Sequence, residues 1–292
     1  MYDWVAQNPN IIAVSMNYRL HLFGFLDGTA VRADGTPNAG LLDQRAAIEW
    51  VRRHISQFGG DPDQITIAGE SAGGASVVLQ ATAYGGVRQA PFKRAIAQSI
   101  GLYPLPLDSE IEGVFRNVTT AASCPTEGAE AMACLRSAPL STLIKSINSV
   151  RTNFLAPTID GKNGFLPDLP SKMIREIRAS NPYMGAMHAS DVYYMFNGAT
   201  GTVPFFAPFN ATEVPVSQEI IGYWTSFTET GDPSKHKMPF SPAWPNFTGT
   251  RRVVMREDLS GNGTRTASFV ERIPVGESTR CKWWMSQNET RV

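Results

Sequence analysis

The chain has 292 residues, with 26 basic side chains balanced by 26 acidic ones, 42% apolar residues and 18% charged residues. That neutrality gives no electrostatic footing for nucleic acid or an anionic membrane surface, and no apolar run approaches the roughly 18 residues a membrane helix needs. The length suits one large α/β domain or two small ones.

Met1-Tyr-Asp-Trp4 has neither the basic head nor the apolar centre of a signal peptide. Ile11 to Ser15 is an apolar run that reads as a buried, parallel-type strand. Asn17-Tyr-Arg-Leu20 and Gly24-Phe-Leu26 follow it, then a polar loop from Asp27 to Asn38. Leu41, Ile48, Val51, Ile55 and Phe58 recur at helical spacing, with Arg45, Glu49, Arg52 and Arg53 on the other faces. Gly59-Gly-Asp-Pro62 ends that helix and turns the chain into Gln64 to Ala68, a short strand. Ala95 to Ser99 reads as the next strand of the same kind, so the rhythm is that of a βαβ sheet. Helices are expected over Glu110 to Ala122, Ser141 to Val150, Ser171 to Ala179 and Ser217 to Thr228. Arg252 to Met255 suggests a late strand, and the tail from Cys281 a closing helical turn.

Chemistry concentrates at Gly69-Glu-Ser-Ala-Gly73, placed between the Gln64–Ala68 strand and a helix-compatible run. A strand that enters a helix through Gly-x-Ser-x-Gly makes a sharp turn with the serine at its tip. The two glycines make room for that turn, and the new helix aims its N-terminus at whatever Ser71 attacks. Ser71 is therefore the expected nucleophile, and the Ala72 backbone N–H a donor to the developing oxyanion. Two further features point to an oxidising, exported environment. Asn117, Asn210, Asn246, Asn262 and Asn288 each begin an Asn-x-Ser/Thr sequon. Cys124 and Cys134 bracket a short Pro/Gly/Glu-containing loop at a spacing that suits a local disulfide, with two buried free thiols as the alternative. Cys281 is left over, a free thiol. Phe205, Phe206 and Phe209 are open to two readings, pocket lining or ordinary packing.

Asn17-Tyr-Arg-Leu20, Gly24-Phe-Leu26, Asn38 to Gln44, Phe58 to Pro62 and Gly69 to Gly74 stand in an order that resembles the type-B carboxylesterase/lipase family, the cholinesterase-like branch of the α/β-hydrolases. Cys134-Leu-Arg136, Asp160-Gly161, Gly185-Ala-Met-His188 and Gly231-Asp-Pro233 are similar to later landmarks of its secreted fungal members. The resemblance implies an α/β-hydrolase fold, a mostly parallel central sheet flanked by helices, as a single partial domain over residues 1–292. It implies a serine ester hydrolase in which Ser71 is acylated and His188 is the general base. The substrate would be a small-molecule or lipid ester, with no metal or cofactor, and the location extracellular. Glu70 reads as a structural ion-pair partner, and His21, His54 and His236 as solvated.

Departures from the family pattern are equally specific. Two blocks are missing: the N-terminal segment with the His-Gly-Gly-type oxyanion loop, and a central segment near Ser180-Asn181 that carries the triad acid. Ile174-Arg175 reaches His188 in about a dozen residues; no acid stands at the matching position and its identity is unknown. Weak or absent turnover is the expectation for this chain. A non-catalytic extracellular binding module on the same fold is the alternative, and a serine peptidase or thioesterase is disfavoured by the blocks around the serine.

Overall fold

The computed structural model describes residues 2–101, 105–150, 155–168, 194–195, 209, 211–248 and 250–286. The site-bearing unit is β1 (Thr66–Glu70), α5 (Ala72–Thr82) and β2 (Arg94–Gln98). β1 and β2 pair in parallel, from Thr66 opposite Arg94 to Glu70 opposite Gln98. Ahead of them come α1 (Tyr2–Gln7), α2 (His21–Phe25), α3 (Thr29–Asp34) and α4 (Ala39–His54). After them come α6 (Asp108–Ala121), α7 (Gly128–Ser137) and α8 (Leu140–Ile147). Then follow α9 (Glu213–Thr230), the antiparallel pair β3 (Arg251–Val254) and β4 (Phe269–Arg272), and α10 (Val275–Ser286).

Three apolar clusters hold these elements. Val31, Val114, Phe115, Val118 and Leu135 join α3, α6 and α7. Leu41, Leu79, Phe165 and Leu166 fasten α4 and α5 to the 155–168 segment. Met195, Val216 and Ile220 anchor α9, with Trp4 and Trp224 packed against them. Cys124, just past α6, is bonded to Cys134 within α7, at a Cα–Cα distance of 5.7 Å.

Polar ties complete the frame. Buried Asp27 receives Arg32 through paired bonds of 2.8 and 2.7 Å and the Thr158 hydroxyl at 2.6 Å. Asn38, in the left-handed region at φ 58°, precedes α4 and clamps Thr158 from both sides. Its amide nitrogen donates to the Thr158 carbonyl at 2.8 Å, and its oxygen accepts the Thr158 N–H at 2.9 Å. Asp160 accepts from the backbone N–H groups of Phe165 and Leu166 and from Asn38, a turn-fastening role.

Several sequence expectations are corrected. Ile11 to Ser15 forms no strand: it has no ladder partner among the described residues, and Ile12 and Val14 are exposed. Apolar sequence alone does not make a strand; a neighbour must supply the other half of each hydrogen bond. The 64–68 strand begins and ends two residues later and is half-buried, with β2 its one paired neighbour among the described residues. The Asp27–Asn38 loop contains α3, and the inter-cysteine loop contains most of α7. Arg45, assigned to an outer face, is buried: its Nη2 donates to the Gln80 carbonyl at 2.7 Å, and its guanidinium lies over the rings of Tyr84 and Phe165. Phe58, assigned to the apolar face, is exposed, because the α-helix tightens into a 3₁₀ turn at Ile55–Phe58 and swings it outward. The Ser171–Ala179 helix lies outside the described residues.

Candidate active site

The local sequence builds a sharp elbow at Ser71. β1 ends at Glu70 and α5 begins at Ala72, so a single residue makes the whole reversal. Ser71 does so at φ 56° and ψ −117°, a conformation that L-residues rarely adopt. Three backbone hydrogen bonds fix it there. The Ser71 N–H donates to the Gln98 carbonyl at 3.1 Å, while the Ser71 carbonyl accepts from Ala75 at 2.9 Å and from Gly101 at 3.1 Å.

Glycine is required here at two places, and only one of them is in the pentapeptide positions read from sequence. A Cβ on Gly69 would overlap the Gly73 carbonyl and come within 3.0 Å of the Gly73 Cα. A Cβ on Gly73 would meet no described atom within 4 Å. The second demand falls on Gly74, where a Cβ would overlap the Gln98 carbonyl oxygen and lie 3.3 Å from the carbonyl carbon. The elbow therefore needs Gly69 and Gly74. The signal for Gly74 was visible as the doubled glycine after the motif.

Ala72 is the first residue of α5. Its N–H is one of the amides that a helix start leaves without an intrahelical acceptor, aimed along the positive end of the helix dipole. Glu70 ends β1, in register with Gln98. Gln98 is buried, and its side chain joins the sheet to α9: Trp224 Nε1–H donates to its Oε1 at 3.1 Å, and its Nε2 donates to Met195 Sδ.

Other sequence-predicted residues are placed as follows. His188, Asn210, Asn288, Phe205 and Phe206 lie outside the described residues. Phe209 stacks on Tyr194 with ring centroids 5.4 Å apart. Asn117 on α6, Asn246 and Asn262 are all exposed. His54 packs on Trp50, and His236 stands 3.7 Å from Glu229. Among the described residues no group of His, Cys, Asp and Glu side chains is arranged to hold a metal ion. No helix among them is long and apolar enough to cross a membrane.

The sequence matches the carboxylesterase family in two pieces, residues 2–184 and 176–273, which meet over the Ser180-Asn181 region. It is 40% identical to a secreted lipase of Arthroderma benhamiae over 60% of this chain and 32% of that protein. It is 37% identical to Lipase 1 of Geotrichum candidum over 75% of this chain and 40% of that protein. A carboxylesterase of Aspergillus clavatus is 35% identical over 76% of this chain and 39% of its own length. The chain thus spans roughly a third to two fifths of the curated relatives it matches. Among solved structures, Aspergillus niger EstA superimposes with a TM-score of 0.81 over 99% of this chain and 77% of its own, at 21% identity. A Geobacillus stearothermophilus carboxylesterase gives 0.73 over 95% and 76%, at 22% identity. The fold is that of these α/β-hydrolases, and the chain belongs to the carboxylesterase family.

Proposed function

We propose that this chain is a serine carboxylic-ester hydrolase, one partial α/β-hydrolase domain over residues 1–292, working by two-step acyl transfer through Ser71. Ser71 Oγ attacks the ester carbonyl carbon while His188 takes the hydroxyl proton. The tetrahedral oxyanion meets the Ala72 N–H. Collapse expels the alcohol, which receives the proton from His188. Water then attacks the acyl-enzyme, giving its proton to His188, and the carboxylic acid leaves as Ser71 is restored.

The observation that carries this reading is the backbone at Ser71. A non-glycine residue held at φ 56° between a strand and a helix costs on the order of 1–3 kcal/mol and persists only where its surroundings enforce it. That geometry lifts one side chain clear of the sheet end beside a helix N-terminus, which is what an attacking hydroxyl requires.

The two matched pieces of the family overlap at residues 176–184, and in our reading this is where the acid-bearing block of the family pattern would stand. His188 then lacks the carboxylate that would orient it, a loss that costs serine hydrolases about ten-thousand-fold in turnover. The chain by itself therefore turns over slowly. The substrate class is a small-molecule or lipid ester; relatives are named both lipase and carboxylesterase. Relatives named as secreted, the Cys124–Cys134 bond and exposed sequon asparagines together support export with N-glycosylation at Asn117, Asn246 and Asn262, and at Asn210 and Asn288.

A fluorophosphonate probe tests this directly. Slow labelling of the chain that vanishes in Ser71→Ala is the expected result, followed by weak hydrolysis of p-nitrophenyl esters. Labelling that survives Ser71→Ala removes Ser71 as the nucleophile. Rapid labelling would mean that another acid orients His188.

A further inference from the structure

α9 carries a carboxylic acid at Glu219 that is completely buried, and the ester chemistry does not use it. Its Oε2 accepts the Ser268 hydroxyl. The Ser268 oxygen also accepts the Arg256 N–H at 2.9 Å. The other oxygen, Oε1, is buried without a hydrogen-bond partner. Ser241 Oγ and Thr266 Oγ1 are likewise buried without a close partner, but their hydroxyls face the same carboxyl from two different segments and favour its ionised form.

We propose that Glu219 works as a proton-dependent latch: with its carboxyl neutral it ties α9 to the 236–242 loop and to the 264–268 segment, and on ionisation that joint loosens. An ionised carboxyl here would be a fully buried charge with no cation paired to it among the described residues, served only by neutral hydroxyls, whereas the neutral carboxyl avoids that charge and can itself donate to a hydroxyl oxygen. A small rotation of Ser241 or Thr266 then completes the bond.

The charged groups around it do not undo this. Lys237 faces Glu219 from the loop, but its ammonium is held by the carbonyls of Ser241 at 2.5 Å and Met238 at 3.4 Å. Tyr223, one turn along α9, gives its hydroxyl to the Pro242 carbonyl at 2.5 Å, and burial pushes its own ionisation further up. The 264–268 segment presents only hydroxyls, since Arg265 is paired with Asp258 at 3.3 Å. Burial pushes the Glu219 carboxyl above its ordinary value of 4.5, outweighing the hydroxyls and Lys237 that pull it down.

The sign of the pH dependence follows. Below the ordinary glutamate value both folded and unfolded chains hold the proton and the latch contributes in full. As pH rises above it, the unfolded chain gives up its proton first, and stability drains away until the folded chain ionises too.

Urea unfolding of the chain and of Glu219→Gln between pH 4 and 7 reads this out. The folding constant of the wild type relative to the variant should fall by up to about tenfold per pH unit within the window, then level off. A ratio that stays flat, or that rises with pH as an ion pair with Lys237 would make it, overturns the proposal. Carboxyl carbon NMR on the unaltered chain decides the matter even if the variant fails to fold. The Glu219 signal should titrate above the ordinary glutamate range, and a signal at or below that range overturns the latch.

Discussion

Adding one methyl group at Gly73 and at Gly74 should move stability in opposite directions. Both residues lie in the first turn of α5, and neither has the positive φ that makes glycine obligatory. In a helix, Gly→Ala ordinarily stabilises by about 0.5–1 kcal/mol through backbone entropy. Gly73→Ala should show that gain, because its Cβ meets no described atom. At Gly74 the new carbon overlaps the Gln98 carbonyl oxygen and stands 3.3 Å from the carbonyl carbon. Relief requires α5 and β2 to part by roughly 1 Å, and overpacking of that kind costs about 1–3 kcal/mol. Gly74→Ala should therefore lose about 0.5–2 kcal/mol net, placing the two neighbours some 2 kcal/mol apart. The displaced carbonyl is the one that accepts the Ser71 N–H, so probe labelling should slow as well, by about a hundredfold for a shift of that size. Urea midpoints by circular dichroism, with labelling rates on the same preparations, are the assay. A Gly74→Ala chain as stable as Gly73→Ala would refute the account of why the doubled glycine is there.

Two more perturbations test the frame. Asn38→Ala strands the N–H and carbonyl of buried Thr158 and puts a Cβ-only residue in the left-handed region; it should cost about 2–4 kcal/mol in urea unfolding. Asn38→Gly should recover about 1 kcal/mol of that, because it removes only the backbone strain; equal losses in the two variants would mean that the backbone term is absent. Reducing the Cys124–Cys134 bond, or replacing both cysteines by serine, should cost about 2–4 kcal/mol and loosen the packing of α7 on α6. An unchanged unfolding midpoint under reducing conditions would count against that.

What the sequence disclosed followed from how local each cause is. The elbow was legible because its ingredients are contiguous: a β-branched run, then a glycine-flanked serine, then a helix former. The parallel pairing of β1 with β2 was legible for the same reason, since a strand, a helix and a strand in quick succession admit few arrangements. Ile11 to Ser15 misled because apolar composition reports a need to be covered and says nothing of which partner covers it. Arg45 misled in the other direction. Helical periodicity assigns a charged residue to the solvent, yet here the Gln80 carbonyl and two aromatic faces receive it inside. Burial still holds its guanidinium below the usual arginine range. Glu219 escaped notice because its significance lies in hydroxyls contributed by distant segments, at Ser241, Thr266 and Ser268. The β3–β4 pairing was half legible, with Arg251–Val254 visible and Phe269–Arg272 lacking an alternating pattern strong enough to mark it.

The strained serine also explains why the C-terminal piece of the family match belongs to the site. Ser71 keeps its conformation only while the Gln98 carbonyl stays in place to accept its N–H. Gln98 ends β2, a five-residue strand with a single described neighbour, too little by itself to hold a strained residue. Beside the packing of α5, further restraint comes from α9, at both ends of that strand. Arg94, where β2 begins, donates to the Thr228 carbonyl at 3.0 Å, and Gln98, where it ends, accepts the Trp224 indole N–H at 3.1 Å. α9 thus lies along β2 as a splint. The elbow comes from the first matched piece and the splint from the second, so the geometry at Ser71 draws on both.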